Sequence, residues 1–125
     1  MELTPQIPAD RQLIQGYGAG RFRIANKIHQ GSVIVLPERT LAWSATALAE
    51  ATLASLAAVF AAEPKVELLL IGCGARPAPL ASALREGLRA RGLGVELMDT
   101  GAACRTYNVL LAEERRAAAA LIAVG

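Results

Sequence analysis

In the middle of the chain stands Val66-Glu67-Leu68-Leu69-Leu70-Ile71-Gly72-Cys73-Gly74, an almost wholly apolar run that ends at two glycines. A run of this kind is typical of a strand that is covered on both faces in a parallel sheet. The segment after it predicts a helix, because Leu80, Leu84 and Leu88 recur on one helical face. Together these features predict the central strand of an α/β domain.

Helices and strands are predicted on both sides of this strand. Upstream, the alanine-rich run over 44–62 predicts one long helix with Ser44 as its N-cap, since apolar residues recur there at helical spacing. Downstream, Pro77 and Pro79 fit the first turn of the next helix, and Gly92 ends it. Then follow a strand over 95–98, a helix over 102–116 and a strand over 118–124. This alternation predicts crossover connections and helices that cover the sheet.

The first third of the chain has a different pattern, in which glycines and prolines separate short alternating runs. Phe22-Arg23-Ile24 and Lys27-Ile28-His29 predict two small antiparallel strands with a turn at Asn26-Lys27, and residues 32–36 predict another strand. We therefore expect a small N-terminal β layer beside the α/β part. With 125 residues, of which 54% are hydrophobic, the chain predicts one domain over residues 1–125.

Composition argues against several classes of function. The net charge is only +2, the arginines are scattered and aromatic residues make up 4%, so a nucleic-acid surface is not expected. No segment reaches the ~20 apolar residues of a transmembrane helix, and residues 1–5 do not resemble a secretory signal. Cys73 and Cys104 fit neither a disulfide framework nor a zinc motif. We therefore predict a cytoplasmic protein without metal or cofactor.

The first candidate site is the glycine bend Gly72-Cys73-Gly74, which lies between a strand and a helix. Backbone N–H groups at such a position can hold an anion. A dinucleotide-binding fingerprint needs a third glycine where this chain has Pro77, so an ordinary tight turn is the stronger interpretation. Asp99 would stand where a ribose-binding carboxylate is found. A reactive pair of Cys73 and Cys104 also stays open, although burial is the ordinary role of cysteine.

The second candidate site is the densest cluster of polar side chains, which comprises Asp99, Thr100, Arg105, Thr106, Tyr107 and Asn108. Arg105 near a helix start opposes the helix dipole, so we expect a partner for it: Asp99, Glu113 or a bound carboxylate or phosphate. Tyr107 and Asn108, if buried, need polar partners. A structural polar network and a ligand site both remain open. His29 is the only histidine, so a metal site or a Ser-His-Asp triad is not expected.

The same block resembles a known family. Residues 98–111, with Glu113 and Arg115, resemble the uncharacterised domain family that includes mitochondrial respiratory complex I assembly factor 3. Gly16-Tyr17-Gly18, Phe22-Arg23-Ile24 and the stretches 31–43 and 70–74 resemble its other signatures. The chain departs from the family pattern at Glu114, where glycine is expected.

This resemblance implies a three-layer fold with a central mixed sheet, flanking helices and a small β layer, and a last strand antiparallel to its neighbours. It also implies a role in the assembly of a membrane complex. With no catalytic set in view, we predict a non-enzymatic interaction domain with an unidentified protein partner, and self-association stays open. The alternative is a small-molecule or anion-binding domain, or an enzyme. Its site would bring Gly72, Cys73 and Gly74 to the same rim as Arg105.

Overall fold

The computed structural model describes residues 11–125, so the expectation drawn from residues 1–5 lies outside the described range. The strands are β1 Ile14–Gly18, β2 Arg21–Ile24, β3 Lys27–Gln30, β4 Val33–Val35, β5 Thr40–Ala42, β6 Leu68–Gly72, β7 Gly94–Met98 and β8 Ala117–Leu121. The α-helices are α1 Ala57–Ala61, α2 Ser82–Ala90 and α3 Thr100–Ala112, and short 3-10 turns occupy Leu48–Glu50 and Ala54–Leu56.

The strands form two sheets. One is the antiparallel sheet β1-β2-β3, and the other has five strands in the order β5-β4-β8-β6-β7. Strand β6 is parallel to both β7 and β8, whereas β4 is antiparallel to both β8 and β5. The predicted mixed α/β fold with a small N-terminal β layer is therefore confirmed. The direction of the last strand is corrected, because β8 is antiparallel to β4 but parallel to β6.

The five-stranded sheet is apolar on both faces, as the central run predicts. Alternation along β6 sends Leu70 to one face, and Leu69 and Ile71 to the other. Helices α1 and α2 cover the face of Leu69, while α3 and the three-stranded sheet cover the face of Leu70. Strand β8 lies between β4 and β6, is buried along its whole length, and consists of four alanines and a leucine. Small side chains fit there because bulky ones from both neighbouring strands fill the adjoining space.

The long helix predicted over 44–62 is wrong. In its place the chain forms the two 3-10 turns and α1, which has five residues, and Ser44 caps no helix. Polar side chains explain the difference. Glu50 accepts hydrogen bonds from both the N–H and the hydroxyl of Thr46, and the hydroxyls of Thr52 and Ser55 each accept the other's backbone N–H. Such local bonds favour turns over a continuous helix.

Other boundaries shift by a few residues. The hairpin between β2 and β3 turns at Ala25 and Asn26, one residue before the predicted position, with positive φ angles of 49° and 68°. Two central residues with positive φ define the hairpin turn that suits twisted strands. Helix α2 begins at Ser82, so Pro77 and Pro79 precede it instead of forming its first turn. Each proline disfavours helical backbone at the residue before it, which keeps this loop extended.

Helices α2 and α3 end in the same hydrogen-bonded arrangement, the Schellman motif. In α2 the left-handed residue of the motif is Gly92, with φ +76°. In α3 the same position holds Glu114, with φ +57°. Its N–H donates to the carbonyl of Leu111, and the next N–H, of Arg115, donates to Leu110. Helix α3 therefore ends before the predicted residue 116, and the glycine of the family pattern is explained by a backbone position that favours glycine.

Candidate functional site

Strands β6, β7 and β8 end at one edge of the sheet, where Thr100 links β6 to β8. Its Oγ1 accepts a hydrogen bond from the N–H of Gly74 at 3.0 Å and donates to the carbonyl of Ile122 at 2.8 Å. The N–H of Thr100 donates to the carbonyl of Gly74 at 2.9 Å, and the residue is 0% exposed. The only proton of this hydroxyl is therefore committed inside the protein.

The glycine bend has a structural reason at both glycines. A Cβ on Gly72 would lie 2.9 Å from the Cα of Thr100 and 2.9 Å from the Cδ2 of Leu121. Real Cβ atoms do not approach other atoms so closely, so the start of α3 rests directly on the backbone of β6. Gly74 has φ +111°, a conformation that glycine adopts readily. The bend is thus the place where helix and strand make contact.

A cavity of about 270 Å³ opens at this edge of the sheet, on the side covered by α2. It is lined by Cys73, Pro77, Ala78, Leu97, Met98 and Asp99. The thiol of Cys73 donates to the carbonyl of Arg76 at 3.3 Å, and the carboxylate of Asp99 caps α3 by accepting the N–H of Ala102 at 2.9 Å. Ligand pockets usually measure about 300–1,000 Å³, so this cavity is near the lower limit.

The two cysteines lie on opposite faces of the five-stranded sheet. Cys73 belongs to the apolar cluster under α1 and α2, and Cys104 belongs to the cluster under α3. Burial raises the pKa of the Cys104 thiol to about 12, against the opposing effect of the Arg105 charge. The thiol of Cys104 is therefore neutral at physiological pH. A reactive pair of Cys73 and Cys104 is wrong, because the sheet separates the two sulfur atoms.

Arg105 is exposed on the outer side of α3, and its partner is a tyrosine. Its Nη1 lies 3.5 Å from the hydroxyl of Tyr17 in β1, and the ring of Tyr17 lies against Gly101. Neither Asp99 nor Glu113 forms an ion pair with Arg105 within the described part of the chain. Sequence reasoning from α3 alone missed Tyr17, since 88 residues separate it from Arg105. The only available signal was Gly16-Tyr17-Gly18 among the family signatures.

Asn108 holds β1 against α3. Its Nδ2 donates to the carbonyl of Ile14 at 2.7 Å, and its Oδ1 accepts the N–H of the same residue at 2.9 Å. This use of both side-chain groups joins the small sheet to the helix. Thr106 is half-buried on the same helix.

Tyr107 points into the apolar core under α3 and is 1% exposed. Its hydroxyl has no hydrogen-bond partner within residues 11–125, and burial raises the pKa of this phenol. A phenol in such surroundings remains neutral. Tyr107 is therefore buried among apolar side chains, away from any cavity described above.

The predicted site residues thus fall into separate places. Cys73 and Asp99 line the cavity at the sheet edge, on the side of α2. Arg105 lies with Tyr17 on the outer side of α3, which covers the opposite face of the sheet. Arg105 does not line the cavity, and its Nη1 lies beside Gly101 at the start of α3, so a rim shared by Arg105 and the glycine bend stays a prediction.

The outward face of the three-stranded sheet carries cations and no acid. Phe22 and Ile24 point into the core, so Arg21 and Arg23 point outward. Ile28 pairs with Arg23 in the ladder and is 56% exposed. We call these three outward residues, with Gln30, the basic sheet face. Residues 11–37 include four Lys or Arg and no Asp or Glu, an asymmetry that the overall charge of +2 conceals.

Between residues 11 and 125, no three or more His, Cys, Asp and Glu side chains gather in a way that could hold a metal ion. Over the same range, none of the helices combines the length and the apolar character needed to cross a membrane.

Known proteins of both bacteria and animals are similar to this chain in sequence. The family model described as "Protein of unknown function (DUF498/DUF598)" matches residues 14–122. An uncharacterised protein of Rhodobacter capsulatus is 42% identical, with 87% of this chain and 82% of that protein covered. NADH dehydrogenase [ubiquinone] 1 alpha subcomplex assembly factor 3 is 38% identical in Danio rerio and 32% identical in Homo sapiens, over 88% and 98% of this chain. The chain spans 63% and 66% of the length of these two assembly factors.

Three bacterial proteins with solved structures have the same fold. The crystal structure of an outer membrane protein from Bartonella henselae superposes with a TM-score of 0.85 at 38% identity, and covers 96% of this chain and 100% of that one. A protein of Rhodopseudomonas palustris, determined by NMR, gives 0.79 at 38% identity over 99% and 93% of the two chains. A Mth938-like domain from Bordetella pertussis gives 0.80 at 29% identity over 100% and 95%.

Proposed function

Because this chain belongs to the DUF498/DUF598 family, we propose that it is a non-enzymatic interaction domain that assists the assembly of a membrane complex. The relatives named as complex I assembly factors support this role, and they point to a respiratory complex as the object of assembly. We assign its action to the cytoplasm, since free cysteines such as Cys73 and Cys104 suit a reducing compartment.

One contrast between the interior and the surface carries this proposal. Three polar side chains at the sheet edge and on α3 are used within the fold: Thr100 links two strand ends, Asp99 caps a helix and Asn108 holds β1. The charges on the basic sheet face, by contrast, have no acidic partner within the described residues. Groups free to act on another molecule therefore lie on an open surface, which suits binding to a protein.

The basic sheet face also defines the chemistry of the partner. Arg21 and Arg23 have no acidic residue beside them on this face, and Ile28 places an exposed apolar side chain next to Arg23. Arginine is enriched in protein interfaces, where its planar guanidinium can donate two parallel hydrogen bonds to one carboxylate. We infer that the partner presents an acidic surface with at least one apolar side chain at its centre.

Affinity capture with matched charge reversals tests this proposal. The bait variant Arg21→Glu/Arg23→Glu reverses the basic sheet face, and Arg85→Glu/Arg89→Glu makes the same change in charge on α2, on the other side of the molecule. The wild type and the α2 variant should recover the same partner, and the sheet-face variant should not. Equal recovery by all three baits would contradict the assignment of this surface.

Deletion of the gene in its own host tests the assembly role. Blue-native electrophoresis of membranes should then show less of one assembled complex and more of its subcomplexes, and the wild-type gene should restore the pattern. The sheet-face variant should fail to restore it, although it accumulates to the same level as the α2 variant. An unchanged set of membrane complexes in the deletion strain would refute the role.

A second candidate function is binding of a small molecule in the cavity at the sheet edge, and the cavity itself favours it. Its lining is mostly apolar, with the thiol of Cys73 and the carboxylate of Asp99 as polar groups. A thermal-shift screen tests this candidate, since a ligand at 100 times its Kd adds about 2.7 kcal/mol of stability. Ala78→Leu, which fills the cavity, should abolish any shift that arises there. A screen in which no compound raises the midpoint would remove this candidate.

A further inference from the structure

Helix α3 presents a single exposed stripe to solvent. Among its 13 residues only Arg105 and Val109 are exposed, and Glu113, the C-cap residue, continues the stripe. The three positions follow one another at intervals of four, so they lie in one row along the helix. Val109 is 57% exposed and is one of the few large apolar side chains that the described surface leaves open.

The two charges of this stripe lack acidic or basic partners. Neither Arg105 nor Glu113 forms an ion pair with another of residues 11–125, and Arg105 has only the long contact to Tyr17. Glu113 also stands at the carboxyl end of α3, where the helix dipole disfavours a negative charge. In the monomer, the position of Glu113 therefore does not stabilise α3. A neighbouring helix that runs in the opposite direction would supply the missing charge at each end.

The order of the three side chains is self-complementary. Val109 stands midway between Arg105 and Glu113, four residues from each. If a second α3 is placed antiparallel with its Val109 against the first, each Arg105 faces the Glu113 of the other copy. A twofold interface requires this relation, in which one residue contacts a second and the second contacts the first. The small residues Ala102 and Ala112, which lie beside the stripe and are only partly buried, allow a close approach.

We propose that α3 is the contact face of a twofold homodimer, in which Val109 packs on Val109 of the second copy. Arg105 of each copy pairs with Glu113 of the other. The inference rests on α3 alone and does not depend on the function proposed above, which uses the basic sheet face.

The dimer formed in this way is weak. Helix α3 is about 20 Å long at about 1.5 Å per residue, and its stripe has one large apolar side chain. Such a contact buries less than the roughly 1,200–2,000 Å² of stable complexes. The chain therefore exchanges between monomer and dimer, and the exposed pairs make the dimer sensitive to salt.

Sedimentation equilibrium of the full chain, from about 10 μM to about 1 mM, covers the range in which weak interfaces associate. The average mass should rise with concentration from 13.1 kDa towards twice that value. Val109→Lys should keep the chain monomeric, and Arg105→Glu or Glu113→Arg alone should weaken association by about tenfold or more. Arg89→Glu on α2 is the matched control and should associate like the wild type.

The charge-swap experiment distinguishes this geometry from other modes of association. An equimolar mixture of the Arg105→Glu and Glu113→Arg chains restores both pairs, so the mixture should associate as strongly as the wild type. The double variant Arg105→Glu/Glu113→Arg should do the same. A wild-type chain that is monomeric throughout, or a mixture no stronger than the single variants, would overturn the proposal. Thermal unfolding of each variant at low concentration verifies that it is folded.

Discussion

The substitution Glu114→Gly should make the protein more stable, although the side chain of Glu114 is exposed. The reason is its backbone. Glu114 is the left-handed residue of the Schellman motif that ends α3, with φ +57°, while Gly92 holds the same position after α2 with φ +76°. The chain therefore carries two copies of one motif, one with the residue that the conformation favours and one without it.

The size of the effect follows from two opposing contributions. An L-residue in left-handed backbone costs about 1–2 kcal/mol relative to right-handed helix. Glycine loses about 0.5–1 kcal/mol more than alanine through its greater freedom in the unfolded chain. The difference favours Glu114→Gly by roughly 0.5–1 kcal/mol. With an unfolding entropy of about 2.1 cal/mol/K per residue over 125 residues, the Tm should rise by about 2–4 °C.

Differential scanning calorimetry of four variants isolates the backbone contribution. Glu114→Ala removes the same charge but keeps a side chain in left-handed backbone, so its Tm should stay close to that of the wild type. Glu113→Gly removes the adjacent charge at a residue with φ −88°, and Gly92→Ala places a Cβ at φ +76°, so both should lower the Tm. The reasoning is refuted if Glu114→Gly is no more stable than Glu114→Ala.

Three further predictions concern buried side chains of α3. Thr100→Val should cost about 2–4 kcal/mol in urea unfolding, because it leaves the N–H of Gly74 and the carbonyl of Ile122 without their buried partner, whereas Thr100→Ser should cost about 1 kcal/mol. Equal losses in the two variants would argue against the hydroxyl bonds. Burial raises the pKa of the Cys104 thiol from 9.0 in the unfolded chain to about 12 in the folded protein. Above pH 9.0 the unfolded chain therefore loses this proton first, and the stability that the buried neutral thiol contributes is lost as the pH rises towards 12. The free energy of unfolding should therefore fall with pH above 9.0 less steeply in Cys104→Ala than in the wild type, and parallel curves would contradict this assignment. Tyr107→Phe removes an unpaired buried hydroxyl and should raise the stability by about 1 kcal/mol, whereas a loss of that size would mean that the hydroxyl is hydrogen-bonded in solution.

The sequence predicted the centre of the fold well because pattern, length and flanking residues agree there. A short apolar run that ends at glycines, such as β6, is typical of a strand with both faces covered, and the spacing of Leu84 and Leu88 is typical of a helix over one face. The long helix over 44–62 was wrong because apolar spacing says nothing of competing side-chain bonds. Thr46, Thr52 and Ser55 each satisfy backbone or carboxylate groups locally, and these bonds divide the segment into turns.

The polar residues of the candidate site could be identified from the sequence, but the groups to which they bind could not. Residues 99–108 were identified as the densest polar block, yet only the structure shows that Thr100 and Asn108 bind the backbone of distant strands. The pairing of β4 with β8 and the contact of Arg105 with Tyr17 join residues that lie more than 80 positions apart. No local pattern encodes such contacts. The stretch 11–37, which has no Asp or Glu, can be read from the sequence, but the net charge of the whole chain does not reveal it.

Photo-cross-linking in living cells would test most directly the claim that this protein acts through the basic sheet face. A photoreactive amino acid at Gln30 would sample that face, and one at Glu86 would sample the exposed side of α2 as a control. We predict that the probe at Gln30 cross-links to a subunit or assembly partner of a membrane complex, and that the probe at Glu86 does not. A partner cross-linked from Glu86 alone, or equally from both positions, would contradict the account.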